Sequence, residues 1–271
     1  MARSSSPPPS STQELEGRRV LVAGASSGIG HACALLCAER GAQVLAVARR
    51  GNLLDELARR DTQRIAVLQA DLSQEAQRRT VAEHALEILG GLDALVYTAG
   101  WAPLRDVAEY DAETWRHLLE VNLIGAARLF ALCRAMLAHS PSPTFLVTSS
   151  HSVPRPWPGL VSYAASKAAL ETLAEGLRHE EPWMRVVCYV VHPTATGFAD
   201  SWDPSRAAQA MERWDREGLL RGKLREPREI AEELVCHLAP VDPMQQPGGS
   251  LAQREPTEAL RSSSHSAEGP S

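Results

Sequence analysis

Tyr163 and Lys167 stand four residues apart and so face the same side of a helix. An ammonium beside a phenol favours the phenolate, lowering the phenol from its ordinary pKa of about 10 toward a group that gives and takes a proton at neutral pH. Reduction of a carbonyl needs such a proton, so segment 162–167 is read as its source during hydride transfer. The pair alone is common on helix surfaces, and two further residues give it context. Ser150 closes an apolar strand pattern at its carboxyl end, where the sites of open parallel sheets lie, and its hydroxyl suits donation to a substrate carbonyl. Asn122 falls in the middle of a long helical pattern, a poor place for asparagine unless its side chain or a freed backbone group has a task.

A cofactor that delivers hydride is suggested by the chain's first strand pattern, which runs into Gly24, Ala25, Ser26, Ser27, Gly28, Ile29 and Gly30 and then a helix. In that context Gly24 permits a tight turn, Gly28 lets backbone approach a pyrophosphate, and Gly30 lets the helix start pack on the sheet. The second strand ends in Ala48, Arg49 and Arg50, where an acidic residue would bind the ribose hydroxyls of NAD. Two guanidinium groups suit a 2′-phosphate instead, so NADP(H) is expected over NAD(H). Asp71, after the third strand, is placed either to accept from an adenine amino group or to cap the helix beginning near Gln74.

The elements that must hold these residues alternate between short apolar runs and longer helical patterns, which predicts βαβ units and a parallel sheet covered on both faces. Strands are expected at Arg19–Ala23, Gln43–Ala48, Ile65–Gln69, 94–98, 144–148 and 186–191, with helices starting near Gly30, Leu53, Gln74, Ala112, Val161 and Pro227. The fold class is α/β, a doubly wound parallel sheet of the Rossmann kind, as a single domain over 15–241. Segment 198–225 interrupts the rhythm with Trp202, Met211, Trp214, Leu219 and Leu220 among charges, and is read as an inserted helical lid over the substrate. The bland reading is that its aromatics only anchor a surface helix.

Composition bounds the partners. The chain has 271 residues, 44% hydrophobic and 23% charged, with a net charge of −5, which lacks the basic footprint of a nucleic-acid binder. Segments 1–14 and 242–271 are rich in Ser and Pro and are expected to be disordered tails. No apolar run approaches the ~20 residues of a membrane span, and the start lacks the apolar core of a signal peptide. The five cysteines, Cys33, Cys37, Cys133, Cys188 and Cys236, fall in apolar patterns, as reduced thiols do, and a cytoplasmic location is expected. Cys33 and Cys37 share a helical face, but no His or carboxylate pair completes a metal site with them, so no metal is expected.

With Gly24 to Gly30, Val121-Asn122, Thr148-Ser149-Ser150 and Tyr163 to Lys167 in this order and spacing, the chain resembles the short-chain dehydrogenase/reductase family over roughly residues 15 to 240. The resemblance implies that Tyr163 is the acid and base, that Lys167 lowers its pKa and holds the nicotinamide ribose, that Ser150 orients the carbonyl, and that Asn122 supports a water relay. It extends the cofactor contacts to Ser26, Ser27, Ile29, Leu72, Ala99, Gly100 and Thr196, and assigns the NADP preference to Arg49. It also implies a homodimer or homotetramer through helices matching Ala112–Ala138 and Val161–Glu180. Two departures stand out. Thr98 replaces the family's usual asparagine before Ala99-Gly100, and the Pro-Gly after strand six is replaced by His192, Pro193 and Thr194. The expected function is hydride transfer between NADPH and an apolar carbonyl or secondary alcohol. A non-catalytic NADP(H) sensor or scaffold is the alternative, for which the complete set of four site residues is unnecessary.

Overall fold

Buried parallel strands are apolar on both faces because helices cover both, and the six apolar runs of this chain form one parallel sheet in the order β3-β2-β1-β4-β5-β6. The computed structural model describes residues 14–220 and 222–240, so both expected tails lie outside the described residues, apart from Glu14. The strands are β1 (Arg19–Ala23), β2 (Gln43–Ala48), β3 (Ile65–Gln69), β4 (Ala94–Tyr97), β5 (Thr144–Ser150) and β6 (Arg185–Val191). They alternate with α1 (Gly28–Glu39), α2 (Gly51–Ala58), α3 (Glu75–Leu89), α4 (Ala112–Leu119), α5 (Gly125–Ala138) and α6 (Val161–Glu180); α7 (Pro204–Arg216) and α8 (Pro227–Cys236) follow β6.

Period-two alternation divides the core. Val20, Val22, Val44, Ala46 and Val96 face one layer, built with α1 and α8. Leu21, Leu45, Leu95, Phe145 and Val147 face the other, with Leu129, Phe130 and Cys133 of α5 and Leu170 and Ala174 of α6. The chain leaves β1 for β2 on one side and reaches β4 on the other, with Ala23 in register with Val47 and Tyr97. This switch point opens a crevice at the carboxyl ends of the strands, where Gly24 to Gly30, Ala99 and Ser150 all lie.

Two expectations change. Helix Ala112–Ala138 is continuous over 27 residues and, with mean hydropathy 1.5 in its most apolar window, is long and apolar enough to cross a membrane. The helix itself was expected, but no run of that length and apolarity was. Of that window 44% is buried, and Leu129, Cys133 and Leu137 are spent on the sheet, as a core helix of a globular protein requires. The cysteines also divide: Cys33, Cys37 and Cys133 are buried, Cys188 is half-buried and Cys236, at the end of α8, is exposed. All five are free thiols, and no metal-binding cluster exists among the described residues.

Candidate active site

The helix carrying Asn122 does not run straight. A π turn, Glu120–Ile124, joins α4 to α5, and the Gly125 N–H donates to the Glu120 carbonyl five residues back. Such single wide turns recur at functional sites because they free backbone groups. Here the Val121 carbonyl accepts from the hydroxyl of Tyr97, a fully buried side chain on β4, at 2.7 Å. Asn122 is wholly buried. Its amide nitrogen donates to the Trp101 carbonyl and to the Ser166 hydroxyl, each at 2.9 Å, and its oxygen accepts from the Trp101 N–H at 2.8 Å. The side chain therefore has a task, which is to pin the start of the 101–111 loop to α6.

Ser166 Oγ in turn donates to the Tyr163 carbonyl at 2.7 Å, within the same helix face that carries Lys167. Lys167 is 2% exposed and its ammonium donates to the Thr148 carbonyl at 2.7 Å, near the end of β5. Two residues on, the Ser150 hydroxyl pairs with Ser152 Oγ at 2.9 Å and also faces the Tyr163 phenol. Ser149, between them, donates to Glu171 one turn below Lys167, which clamps the strand end against α6. All four residues expected to do chemistry thus meet at the carboxyl end of β5.

The electrostatics differ from the expected pattern. Burial pushes the Tyr163 phenol up to about 12, with the Ser150 hydroxyl pulling the other way, and burial brings Lys167 down to about 8. The ammonium sits 5.8 Å from the centre of the Tyr163 ring with a proton committed to Thr148, so desolvation outweighs any help it gives the phenolate.

A buried ammonium is costly, and the sign of that cost can be tested. The folded-state pKa of Lys167, about 8, lies below its ordinary value of 10.5. Between those values the unfolded chain holds a proton the folded chain lacks, so this group's contribution to stability rises with pH; below about 8 the full penalty applies. Lys167→Met is expected to raise stability by about 1–2 kcal/mol near pH 7, with the gain shrinking toward pH 10.5. Thermal melts of both proteins across that range would show it, and a variant less stable at pH 7 would refute it.

The glycine turn has the shape a dinucleotide needs. Gly24, at φ +97°, would place a Cβ 2.5 Å from the Ala99 nitrogen, and Gly28, at φ +58°, would place one 3.0 Å from Thr196 Cγ2. Side chains would thus fill the space between the turn, the β4 end and the Thr196 roof, which is the cradle a pyrophosphate occupies in this fold class. Ser26, Ser27 and Ile29 are half-buried along that turn and Gly30 is buried. Gly100 borders both Asn122 and Lys167, since a Cβ there would lie 3.8 Å from Oδ1 and Nζ.

Arg50, rather than Arg49, reaches back to the turn: its guanidinium donates to Ser26 Oγ at 3.0 Å and Ser27 Oγ at 2.5 Å. Arg49 is exposed and acts on Asp71 through its charge. Asp71 does not cap α3, whose N-cap is Gln74. It closes a local turn instead, accepting from the Ser73 N–H at 2.9 Å; burial raises its pKa, but the bonds from Ser73 outweigh this and the net direction is down. Leu72 has its side chain in the core and its carbonyl bound to Arg78.

Thr98 directly follows β4. Its hydroxyl donates to the Ala23 carbonyl at 2.9 Å and ties β4 to β1. His192 stacks on His151 at 4.8 Å, beside the β5 and β6 ends. Thr196 accepts from the Phe198 N–H and starts a short 3-10 turn, Gly197–Ala199.

The expected lid is an excursion whose base is closed by a parallel bridge between Thr194 and Arg225. Its tryptophans are anchors, as the bland reading has it. Trp202 and Trp214 are buried and donate to the carbonyls of Ala102 and Pro158 at 2.6 and 3.0 Å. Phe198 lies 5.2 Å from the Tyr163 ring and 5.5 Å from Trp202, so the excursion also reaches the phenol. Between it and the 101–109 loop lies a cavity of about 630 Å³. Its walls include Arg105, Glu109, Asp203 and Arg206 as well as Trp101 and Trp202, and it is more polar than the bulky aromatics of the sequence suggested. Sequence reading missed Arg105 and Glu109, because nothing in the 101–109 stretch shows that it faces α7.

The comparisons agree with this geometry. Residues 18–210 match the short chain dehydrogenase family. The chain is 37% identical over 173 residues to a hydroxysteroid 11-beta-dehydrogenase 1-like protein of Xenopus tropicalis, covering 62% of this chain and 60% of that relative. It is 29% identical to the 2,3-dihydro-2,3-dihydroxybenzoate dehydrogenase of Escherichia coli K12, over 82% of this chain and 90% of the relative. The chain thus spans less than two thirds of the Xenopus protein but most of the bacterial one. Among solved structures it resembles a 3-ketoacyl-(acyl-carrier-protein) reductase from Brucella melitensis complexed with NADH, with a TM-score of 0.73 and 25% identity over 82% of this chain and 90% of that one. An alcohol dehydrogenase from Thermococcus sibiricus complexed with 5-hydroxy-NADP gives a TM-score of 0.69 at the same identity and coverage. With the turn, the sheet order and the cluster at the end of β5 all in place, the chain belongs to the short chain dehydrogenase family.

Proposed function

We propose that this chain is an NADP(H)-dependent oxidoreductase that reduces a ketone or aldehyde to the corresponding alcohol, with Tyr163 as the acid. The observation that carries this reading is the convergence of Ser150, Tyr163 and Lys167 at the end of β5, with the glycine turn alongside. The reduced nicotinamide, when bound, supplies hydride. Tyr163, held protonated by burial, donates its proton to the developing alkoxide, and Ser150 orients the carbonyl oxygen by donating a hydrogen bond. A phenol raised to about 12 is protonated at neutral pH, as a proton donor to the alkoxide must be. Lys167 lies one helical turn from Tyr163, its ammonium 5.8 Å from the ring centre, and is assigned to resupply the phenol's proton. The Asn122 amide spends both hydrogens on Trp101 and Ser166, so its part is to position the loop and helix rather than to pass protons.

The preference for NADP(H) rests on Arg50 with Ser26 and Ser27, one cation and two hydroxyls gathered beside the turn. Removing a charge-assisted bond to phosphate costs roughly 1.5–3 kcal/mol. Arg50→Ala is therefore expected to weaken NADPH by about tenfold or more and leave NADH nearly unchanged, with Arg49→Ala showing a smaller effect of the same kind. Titrations of both cofactors by fluorescence check this, and equal losses for NADPH and NADH would count against it. NADPH consumption with the purified protein against a panel of ketones and aldehydes tests the activity itself. A sensor or scaffold would bind NADPH and consume none. The free thiols fit a reducing compartment, and we place the protein in the cytoplasm. We assign self-association to the outer faces of Ala112–Ala138 and Val161–Glu180, to be read by light scattering on the same preparation.

A further inference from the structure

The cavity between α7 and the 101–109 loop holds four charged side chains, and three of them are already matched. Arg206 pairs in two-pronged fashion with Glu109, with one bond of 2.7 Å, and Glu109 also accepts from the Asp106 N–H. Asp203 caps α7, accepting from the Arg206 N–H at 2.9 Å and from Ser205 Oγ at 2.5 Å. Arg105 remains. Its backbone is fixed, with its N–H on the Gly159 carbonyl at 3.0 Å, but its guanidinium has no ion pair or side-chain hydrogen bond among the described residues. Its field reaches Glu109 and Asp111, yet Glu109 is taken by Arg206 and Asp111 caps α4 through the Thr114 N–H.

This exposed cation shares the cavity with Trp202, and a row of touching rings joins Trp202 to the phenol. Tyr163, Phe198 and Trp202 touch ring to ring, and Trp202 forms a wall of the cavity together with Trp101. A space of about 630 Å³ is of the size that takes a small molecule. We infer that this cavity is the distal half of the substrate site and that it selects carbonyl compounds with an apolar, flat body and an anionic far end, a carboxylate, bound by Arg105. The inference rests on the proposed reductase activity at Tyr163. A guanidinium fork suits a carboxylate, and the helix start at Asp203 is already neutralised, so Arg105 alone supplies the discrimination.

The probes are 4-acetylbenzoate and the longer 4′-acetylbiphenyl-4-carboxylate, each compared with its methyl ester. Wild type should prefer the longer acid over its ester, and Arg105→Ala should lower that acid-to-ester ratio of kcat/KM by roughly tenfold or more through KM, with Arg105→Lys in between. Binding is followed separately, in the presence of NADPH, by quenching of tryptophan fluorescence, since Trp101 and Trp202 line the cavity. An ester bound and turned over as well as its acid, or a ratio unmoved by Arg105→Ala, overturns the carboxylate subsite. Acid-selective, Arg105-dependent binding without any turnover upholds the subsite and overturns the reductase reading.

Discussion

Tyr163→Phe is expected to lower kcat for carbonyl reduction by roughly a thousandfold, about 4 kcal/mol of transition-state stabilisation, while the Kd for NADPH stays within about twofold. The substitution removes one oxygen and little else. The ring keeps its contact with Phe198 and its place among Leu104, Trp157 and Leu160. Ser150, which faces the lost hydroxyl, retains Ser152 Oγ as a partner at 2.9 Å, so no buried donor is stranded. Stability should therefore change by about 1 kcal/mol or less, and the loss can be assigned to chemistry. Single-turnover reduction of any active carbonyl compound, beside an NADPH titration, checks both halves. Retention of more than a tenth of wild-type kcat would remove Tyr163 from the role of acid.

Burial limits how far the site could be read without a structure. The period-two strands and the glycine turn are local patterns, and they gave the sheet and the crevice because each is decided by residues close in sequence. β5 nevertheless runs to Ser150 and β6 begins at Arg185, because register with a neighbouring strand extends both beyond their most apolar residues. The positions of Tyr163 and Lys167 were legible from spacing, but the direction in which the phenol titrates was not. It depends on desolvation by Trp157, Phe198 and the rest of the lid cluster, which arrives from distant segments. The choice of Arg50 over Arg49 likewise turns on side-chain reach across the β1 and β2 ends. Arg105 was invisible for the same reason: its relation to Arg206 joins residues about a hundred positions apart.

The lid shows how anchoring and covering coexist. Trp202 and Trp214 are fixed by hydrogen bonds to Ala102 and Pro158, so the helix between them is held against the body at both ends. Phe198, 37% exposed, lies on the phenol without such a bond. The anchored part of the excursion therefore walls the cavity, and Phe198 alone carries the excursion onto the Tyr163 ring.

Asn122→Asp is expected to be the most destabilising single change of similar shape at this site, and its cost should depend on pH. The amide nitrogen supplies two donors, one to the Trp101 carbonyl and one to Ser166 Oγ. Ser166 cannot reverse its role, because its own hydrogen goes to the Tyr163 carbonyl at 2.7 Å. A carboxylate there would keep the Trp101 N–H on one oxygen but set the other, charged, against two acceptors in a position with no solvent exposure, a loss of about 3 kcal/mol or more. That corresponds to a melting temperature lower by roughly 6–12 °C for a domain of this size. Burial would raise the aspartate's folded pKa above its ordinary value of about 3.9, so between the two the folded state binds the proton more tightly. The deficit against wild type should accordingly be largest near pH 8 and shrink as pH falls through the raised folded value. It should not vanish, since a protonated carboxyl offers one donor where two are needed. Paired thermal melts at pH 8 and pH 5 decide the matter: a deficit that is small, or that grows toward acid, would mean that the Trp101 loop is held by something other than the Asn122 amide. If the deficit behaves as expected, activity at permissive temperature should fall with it, because Trp101 follows Gly100, the residue that borders both Asn122 and the Lys167 ammonium.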